Sequence, residues 1–294
     1  MRIGAHVSSA GGPAGVFARA AEIGAEAVQL FISAPQQWRP PAISDDQVAA
    51  FRAARQAADV PVFFHGVYLV NLASDDGALL GRSVGSLKQY LKWGDTLGTV
   101  GTIFHVGSHK GAGFETVLPQ VCAKIGEVLE YAAGEQLLII ENNAGQGGGV
   151  GITFAEIGAI IRGAGGHPRL RVCLDTCHAY AMGYDLATPE GCALAMEEFE
   201  REIGFDRLVA VHANDSKTPL GGMRDRHENI GDGHIGYDGF RAIMRHPAFR
   251  DVPFLLEVPG IEGGGPDAEN LNRLKAIRAE LGIPAPGPAT PAPA

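Results

Sequence analysis

Arg171-Val-Cys-Leu-Asp-Thr-Cys-His-Ala-Tyr180 is an apolar run that stops on an acid and puts a histidine three residues later. Val172 to Leu174 reads as a buried strand, closed by Asp175 with His178 just beyond. A carboxylate where a buried strand ends is costly unless a cation or hydrogen-bond donors compensate it. The same event recurs along the chain. Working outward from this stretch, strand-like runs fall at 2–6, 27–31, 62–65, 102–105, 137–141, 172–175, 208–212 and 254–257. From the third onward they close on His65, His105, Glu141, Asp175, His212 and Glu257.

A helical pattern follows each strand, at about 13–24, 45–58, 77–97, 114–133, 154–162, 189–203, 237–245 and 267–281. Ser44-Asp-Asp-Gln47 and Thr153-Phe-Ala-Glu156 have the form of capping boxes, and Thr188-Pro189 puts proline at a first helical position. Eight strand-then-helix units with continuously apolar strands predict a closed parallel (β/α)8 TIM barrel rather than an open doubly wound sheet. An open sheet would more often carry a glycine-rich phosphate fingerprint after its first strand, and Gly11-Gly12 lacks that spacing. A single domain over residues 1–282 is expected, followed by a disordered Pro/Ala-rich tail at 283–294.

Of the connections, the one from strand seven to helix seven is unusually long. It runs from Ala213-Asn-Asp-Ser-Lys217 through Gly222-Met-Arg-Asp-Arg-His227 to Gly231-Asp-Gly-His-Ile-Gly236. Loops of this length without secondary structure are usually functional or disordered. Its glycines and charges favour function.

Composition narrows the class. Of 294 residues 46% are hydrophobic, ample for a core, and no apolar run reaches the roughly 18 residues of a membrane span. The chain opens directly on a strand-like stretch without a basic-then-apolar leader, so a cytoplasmic protein is expected. The cysteines Cys122, Cys173, Cys177 and Cys192 lack paired spacing and read as buried reduced thiols. A net charge of −9 argues at face value against a nucleic-acid partner, but carboxylates that hold cations invert the local field.

In a parallel barrel all C-terminal strand ends open onto one face, where the active sites of this fold lie. His178, Asp225 and His227 join that rim from loops, giving five histidines and four carboxylates. Imidazole with carboxylate suits zinc, and also manganese or iron, whereas calcium and magnesium prefer oxygen alone. Nine donors exceed one ion; three ions with a shared carboxylate fit better. His6 is expected to hydrogen-bond in the floor of the site, and His109, His167, His234 and His246 carry no assignment.

These residues bring the chain to a resemblance. Gly4-Ala-His-Val-Ser-Ser-Ala-Gly-Gly12, Phe104-His-Val-Gly-Ser-His109, Glu141-Asn-Asn-Ala-Gly-Gln-Gly147 and Cys173-Leu-Asp-Thr-Cys-His-Ala-Tyr180 lead it. His212-Ala-Asn-Asp-Ser-Lys217 and Asp225-Arg-His-Glu-Asn-Ile-Gly-Asp-Gly233 complete it. In this order, over nearly the whole length, they resemble the endonuclease IV family of apurinic/apyrimidinic endonucleases, also called family 2.

The resemblance implies a zinc-dependent DNA repair hydrolase with three ions per chain, manganese being able to replace zinc at one or more sites. One ion would use His65, His105 and Glu141; Glu141 would bridge to a second on Asp175, His212 and Glu257; the third would use His178, Asp225 and His227. Glu141 or Glu257 would orient or deprotonate the attacking water. The implied reaction cuts the phosphodiester 5′ to an abasic site, leaves a 3′-hydroxyl, and also clears blocked 3′ ends of double-stranded DNA. Side chains inserted through the minor groove would be Tyr68 and Leu69, with Gln36 from the loop after strand two. Gln36 stands where the family often has a basic residue, as does Met223; Val106, Asn143 and the Val258 after Glu257 are further departures. None removes a ligand. A monomer is expected.

The main rival is a sugar isomerase or epimerase, which would use one divalent metal on Glu141, Asp175, His212 and Glu257. It leaves His65, His105, His178, Asp225 and His227 without work. A non-catalytic DNA-binding protein would need a basic surface that this composition does not provide.

Overall fold

The structure, a computed structural model, describes residues 1–38, 42–285 and 287. Seven strands appear in order: β1 (Ile3–His6), β2 (Val28–Leu30), β3 (Val62–His65), β4 (Gly101–Phe104), β5 (Leu137–Glu141), β6 (Leu170–Asp175) and β7 (Leu208–His212). A small antiparallel ribbon, β8 (Asp215–Ser216) with β9 (His227–Glu228), precedes the last barrel strand, β10 (Phe254–Leu256). The barrel strands are parallel and close, β1 pairing with both β2 and β10. The fold is the expected TIM barrel.

The helices pack outside: α1 (Val16–Ile23), α2 (Asp45–Ala58), α3 (Gly77–Leu97), α4 (Phe114–Tyr131), α5 (Phe154–Gly163), α6 (Thr176–Met182), α7 (Pro189–Glu202), α8 (Gly236–Arg245) and α9 (Ala268–Glu280). Ser44 and Gln47 form a reciprocal capping box, and Thr188 caps α7 through Gly191 N–H. Thr153 caps α5, but the Glu156 carboxylate accepts from Gly151 and Ile152 instead of returning to Thr153. That box is therefore only half formed. The helix α6 and the β8–β9 ribbon are additions to the expected pattern; both lie in segments read as loop.

The barrel interior sets the position of everything above it. Ala27, just before β2, with Phe63, Ile103, Ile139, Cys173, Ala210 and Leu255, one from each barrel strand from β3 to β7 and from β10, form one buried apolar cluster. Side chains alternate faces along a strand, so the residue two further on points inward again, one level higher. Those residues are Gln29, His65, His105, Glu141, Asp175, His212 and Glu257. One apolar layer thus carries a polar ring directly above it. All of the ring but Gln29 was expected from strand endings, although His105 and Glu257 sit one residue past theirs.

Gly4 on β1 completes the interior where no side chain fits: a Cβ there would lie 2.2 Å from the Ala27 carbonyl oxygen. Backbone cannot swing aside as a side chain can. Gly4→Ala is therefore expected to cost about 1–3 kcal/mol through forced strand displacement, read as a lowered thermal midpoint. An unchanged midpoint would show that β1 tolerates more room than this packing allows.

Closure is fastened by Arg278 of α9, which is buried and donates to Glu26 (2.9 Å) and to the Met1 carbonyl (3.0 Å). Ile283 packs on the core, and Arg2 donates to the Gly287 carbonyl at 2.9 Å. Of the tail expected from 283 onward, residues 286 and 288–294 lie outside the described residues. No described helix is long and apolar enough to cross a membrane.

Candidate metal centre

At the mouth, strand ends and two returning segments bring the nine expected donors together. Donor atoms lie within 4.8 Å of one another in three sets: His65, His105 and Glu141; Glu141, Asp175, His212 and Glu257; and His178, Asp225 and His227. Glu141 belongs to two of them. Its Oε2 is 3.2 Å from His65 Nε2 and 3.4 Å from His105 Nε2, while its Oε1 is 2.9 Å from His212 Nδ1 and 3.3 Å from His178 Nδ1.

Local structure explains the placements. Asp175 ends β6 and is the N-cap of α6, accepting from the His178 N–H at 2.8 Å. One helical turn then faces His178 back toward the ring. Asp225 and His227 return through the β8–β9 ribbon. The segment that follows the ribbon is pinned to it by buried Asp215, whose carboxylate accepts from backbone N–H groups of Ser216, Gly231, Gly233, Ile235 and Gly236.

The histidine rings are held as metal ligands are. Nδ1 of His65, His178 and His227 lies 2.8, 3.0 and 3.2 Å from the carbonyl oxygens of Gly66, Asn142 and Glu257. Donation there leaves each Nε2 lone pair directed into the cluster. Nε2 of His178 and of His227 are buried without a hydrogen-bond partner among the described residues. The two Nε2 atoms approach Asp225 Oδ1 to 3.3 and 3.1 Å, an ion-pair distance without hydrogen-bond alignment. Lone pairs of nitrogen and oxygen converging on the same space are the arrangement a cation satisfies. The donor set fits several divalent ions.

Electrostatics give the same reading. Burial opposes charge on His178, but Asp175, Asp225 and Glu141 outweigh it and hold the imidazole well above its usual range. For His212, burial is outweighed by Cys173, Glu141 and Glu257. Burial also opposes charge on His227, yet the adjacent carboxylates of Asp225 and Asp175 raise it to about 9. These protons supply positive charge that the carboxylates demand. Asp175 is pushed up by burial despite His178 and His227, and burial holds His105 down at about 4. Glu141 and Glu257 remain below the carboxylate range because their histidine neighbours overcome burial.

Cys177 lies close enough to Asp175 and His227 to form another possible donor set. Its thiol donates to the Arg226 carbonyl and is pushed up to about 12 by burial and Asp175, so it remains a neutral thiol.

Over this centre opens a cleft of about 580 Å³, lined among others by Tyr68, Leu69, Asn71, His105, Lys110, Asn143, His178 and Asp225. Tyr68 is 55% exposed, and its ring stands edge-on to His65 at 5.5 Å. Leu69 is half-buried and packs on the core, so Tyr68 is the freer of the two. Gln36 is exposed on a neighbouring turn, which the Tyr68 N–H joins by donating to Pro35 at 2.9 Å.

His6 lies in the floor, as expected, with Nδ1 2.9 Å from Gln29 Nε2 and 3.3 Å from Glu257 Oε1. Three buried amides had no assigned role. Asn142 holds both backbone groups of Asp175; Asn214 donates to the Asp175 carboxylate and accepts from Glu257 N–H; Gln29 touches His6, His212 and Glu257. The signal for Gln29 was a polar residue inside an apolar strand, at an inward position.

Residues 17–281 match the family described as "Xylose isomerase-like TIM barrel". A protein of Streptomyces avermitilis called "Probable endonuclease 4" is 40% identical over 278 residues, covering 93% of this chain and 90% of that protein. The crystal structure of endonuclease IV from Thermus thermophilus superposes with a TM-score of 0.84 at 37% identity, over 95% of this chain and 100% of that one. A D-tagatose 3-epimerase-like protein, at 18% identity and a TM-score of 0.71 over 96% and 97% of the two chains, shares the barrel. With its motifs, its ring of donors and these relatives, the chain belongs to the endonuclease IV family of xylose isomerase-like TIM barrels.

Proposed function

We propose that the protein is a DNA repair hydrolase that cuts the phosphodiester 5′ to abasic sites, leaving a 3′-hydroxyl, and clears blocked 3′ ends. The observation carrying this reading is the trio of donor sets joined through Glu141 beneath one open cleft. His65 and His105 would hold one zinc with Glu141, Asp175 with His212 and Glu257 a second, and His178 with Asp225 and His227 a third; manganese is the alternative ion. Bound there, the ions would supply the Lewis-acid charge that stabilises attacking and leaving oxygens and makes water nucleophilic near neutral pH.

The chain's own groups account for the remainder. Glu141 or Glu257, acceptor-only while ionised, would orient or deprotonate the attacking water. Asn142 and Asn214 fix Asp175, while backbone carbonyls set the rings of His65, His178 and His227, so little reorganises during the reaction. Tyr68, with Leu69 and Gln36, would enter the minor groove at the lesion, where apolar insertion offsets unstacking by opening further contact surface. We further take residues 1–282 as one catalytic unit, acting as a monomer in the cytoplasm or on the nucleoid.

Nicking of a synthetic abasic duplex, with and without chelator and alongside elemental analysis, tests the reading. Cleavage 5′ to the lesion, loss with chelator and three ions per chain are expected; a single ion with no nicking would end it. The same assay on a chain stopped after Gly282 checks the assigned unit. The sugar-isomerase reading is favoured by one observation, the compact Glu141, Asp175, His212 and Glu257 set. It leaves the unpartnered Nε2 atoms of His178 and His227 unexplained.

Lys110 adds an expectation. It is exposed on the cleft rim with φ +46°, a conformation unusual for a non-glycine residue. A phosphate contact there predicts that Lys110→Asn, which tolerates this φ, weakens duplex binding and lowers the salt dependence, −dlogK/dlog[salt], by about one. An unchanged slope would remove Lys110 from the contact surface.

A further inference from the structure

Gln29 is fully buried on β2, two residues above Ala27 in the interior layer. Its Nε2 lies 2.6 Å from Glu257 Oε1 and 2.9 Å from His6 Nδ1, and its Oε1 lies 2.8 Å from His212 Nε2. Ionised Glu257 can only accept, so the amide nitrogen must face it. Turning the amide over would set two acceptor oxygens 2.6 Å apart. With that nitrogen fixed, Oε1 faces His212 and can only accept, so Nε2 of His212 must carry a proton.

The consequence reaches the ring. His65, His178 and His227 donate from Nδ1 to carbonyl groups and turn Nε2 inward. His212 is the reverse: its Nε2 is committed to Gln29, and its Nδ1 faces Glu141 Oε1 at 2.9 Å and Glu257 Oε2 at 3.5 Å. The same amide occupies Glu257 Oε1 and leaves Oε2 turned toward His212. One side chain thus fixes two members of a single donor set.

We propose that Gln29 is the positioning residue of the Glu141, Asp175, His212 and Glu257 set, selecting Nδ1 of His212 and Oε2 of Glu257 as the atoms that hold its ion. This rests on the cation-cluster reading above. Gln29 touches neither of the other two donor sets except through the shared Glu141, so its removal acts on one ion of three. A carbonyl or carboxylate that orients a metal-bound histidine changes metal affinity typically 10–100-fold when removed, and Gln29 serves as that group here.

The test uses full-length protein loaded with zinc. Gln29→Met keeps the volume and removes every hydrogen bond, while Gln29→Asn keeps an amide one methylene too short to span His212 and Glu257. Elemental analysis after gel filtration and zinc competition against a chelator should give three ions for the parent protein. In both variants one ion should weaken about 10–100-fold with the other two unchanged. Long-range proton–nitrogen correlation of the histidine rings should show His212 protonated at Nε2 in the parent and that resonance lost in Gln29→Met. If Gln29→Met does not fold, Gln29→Asn decides. Three ions held with unchanged affinity and an unchanged His212 resonance would overturn the role of Gln29 while leaving the cluster standing. Fewer than three ions in the parent protein would overturn both.

Discussion

Glu141→Gln is expected to lower the nicking rate at least about 10³-fold while leaving the barrel folded, because several kcal/mol of transition-state charge stabilisation depend on one carboxylate. Glu141 is fully buried, and each of its oxygens serves a different neighbourhood, Oε2 toward His65 and His105 and Oε1 toward His212 and His178. An amide has the same shape but offers only one acceptor. Its nitrogen would present hydrogens where a cation should bind, and the negative charge balancing the surrounding cations would be lost. Circular dichroism should be unchanged, and elemental analysis should show fewer ions than in the parent. A variant that nicks at the parent rate with a full complement of ions would exclude Glu141 as the bridge.

Removing the ions should make the protein's stability depend on pH where the loaded protein's does not. In the cation-free state His227 is raised from its usual 6.5 to about 9 by Asp225 and Asp175, which outweigh burial. A base whose pKa is raised by folding contributes stability that is complete below its unfolded pKa and lost as pH rises through its folded pKa. The window therefore runs from about 6.5 to about 9, and the loss from this one group is on the order of 3 kcal/mol at most. His178 and His212 are shifted in the same direction and reinforce the effect. Chelated protein should thus melt progressively lower between those limits, while zinc-loaded protein stays nearly flat because the ions replace the protons. By the same linkage, zinc binding at neutral pH should release protons, read calorimetrically in buffers of different ionisation enthalpy. Parallel melting curves for the two forms would show that the carboxylates do not draw their charge from these histidines.

Most of the barrel was legible because strand and helix alternation is a local property. Val62–His65, Leu137–Glu141 and Leu208–His212 need only an apolar run and a polar stop to be recognised. Asp45–Ala58 and Gly77–Leu97 are likewise fixed by caps and periodicity within their own residues. The extra helix Thr176–Met182 escaped because its seven residues are too few for a periodic signal, and its cap is Asp175, read as a ligand. The ribbon of Asp215–Ser216 with His227–Glu228 escaped for a different reason. Its two-residue strands form only because buried Asp215 gathers the distant N–H groups of Gly231 and Ile235.

The site divides along the same line. The residue types and order of His65, His105, Glu141, Asp175, His178, His212, Asp225, His227 and Glu257 are properties of the chain, and they announced a nitrogen–oxygen donor set suited to divalent ions. Where each lone pair points is not. Gln29 had no visible role in the linear order because its partners, His212 and Glu257, lie 183 and 228 residues away. The sequence by itself determined the barrel and the chemical character of its mouth, since both follow from alternation and composition along single strands. Only the tertiary structure decided which donors share Glu141, which nitrogen of His212 turns inward and which buried amides hold them, because those depend on strands brought side by side when the barrel closes.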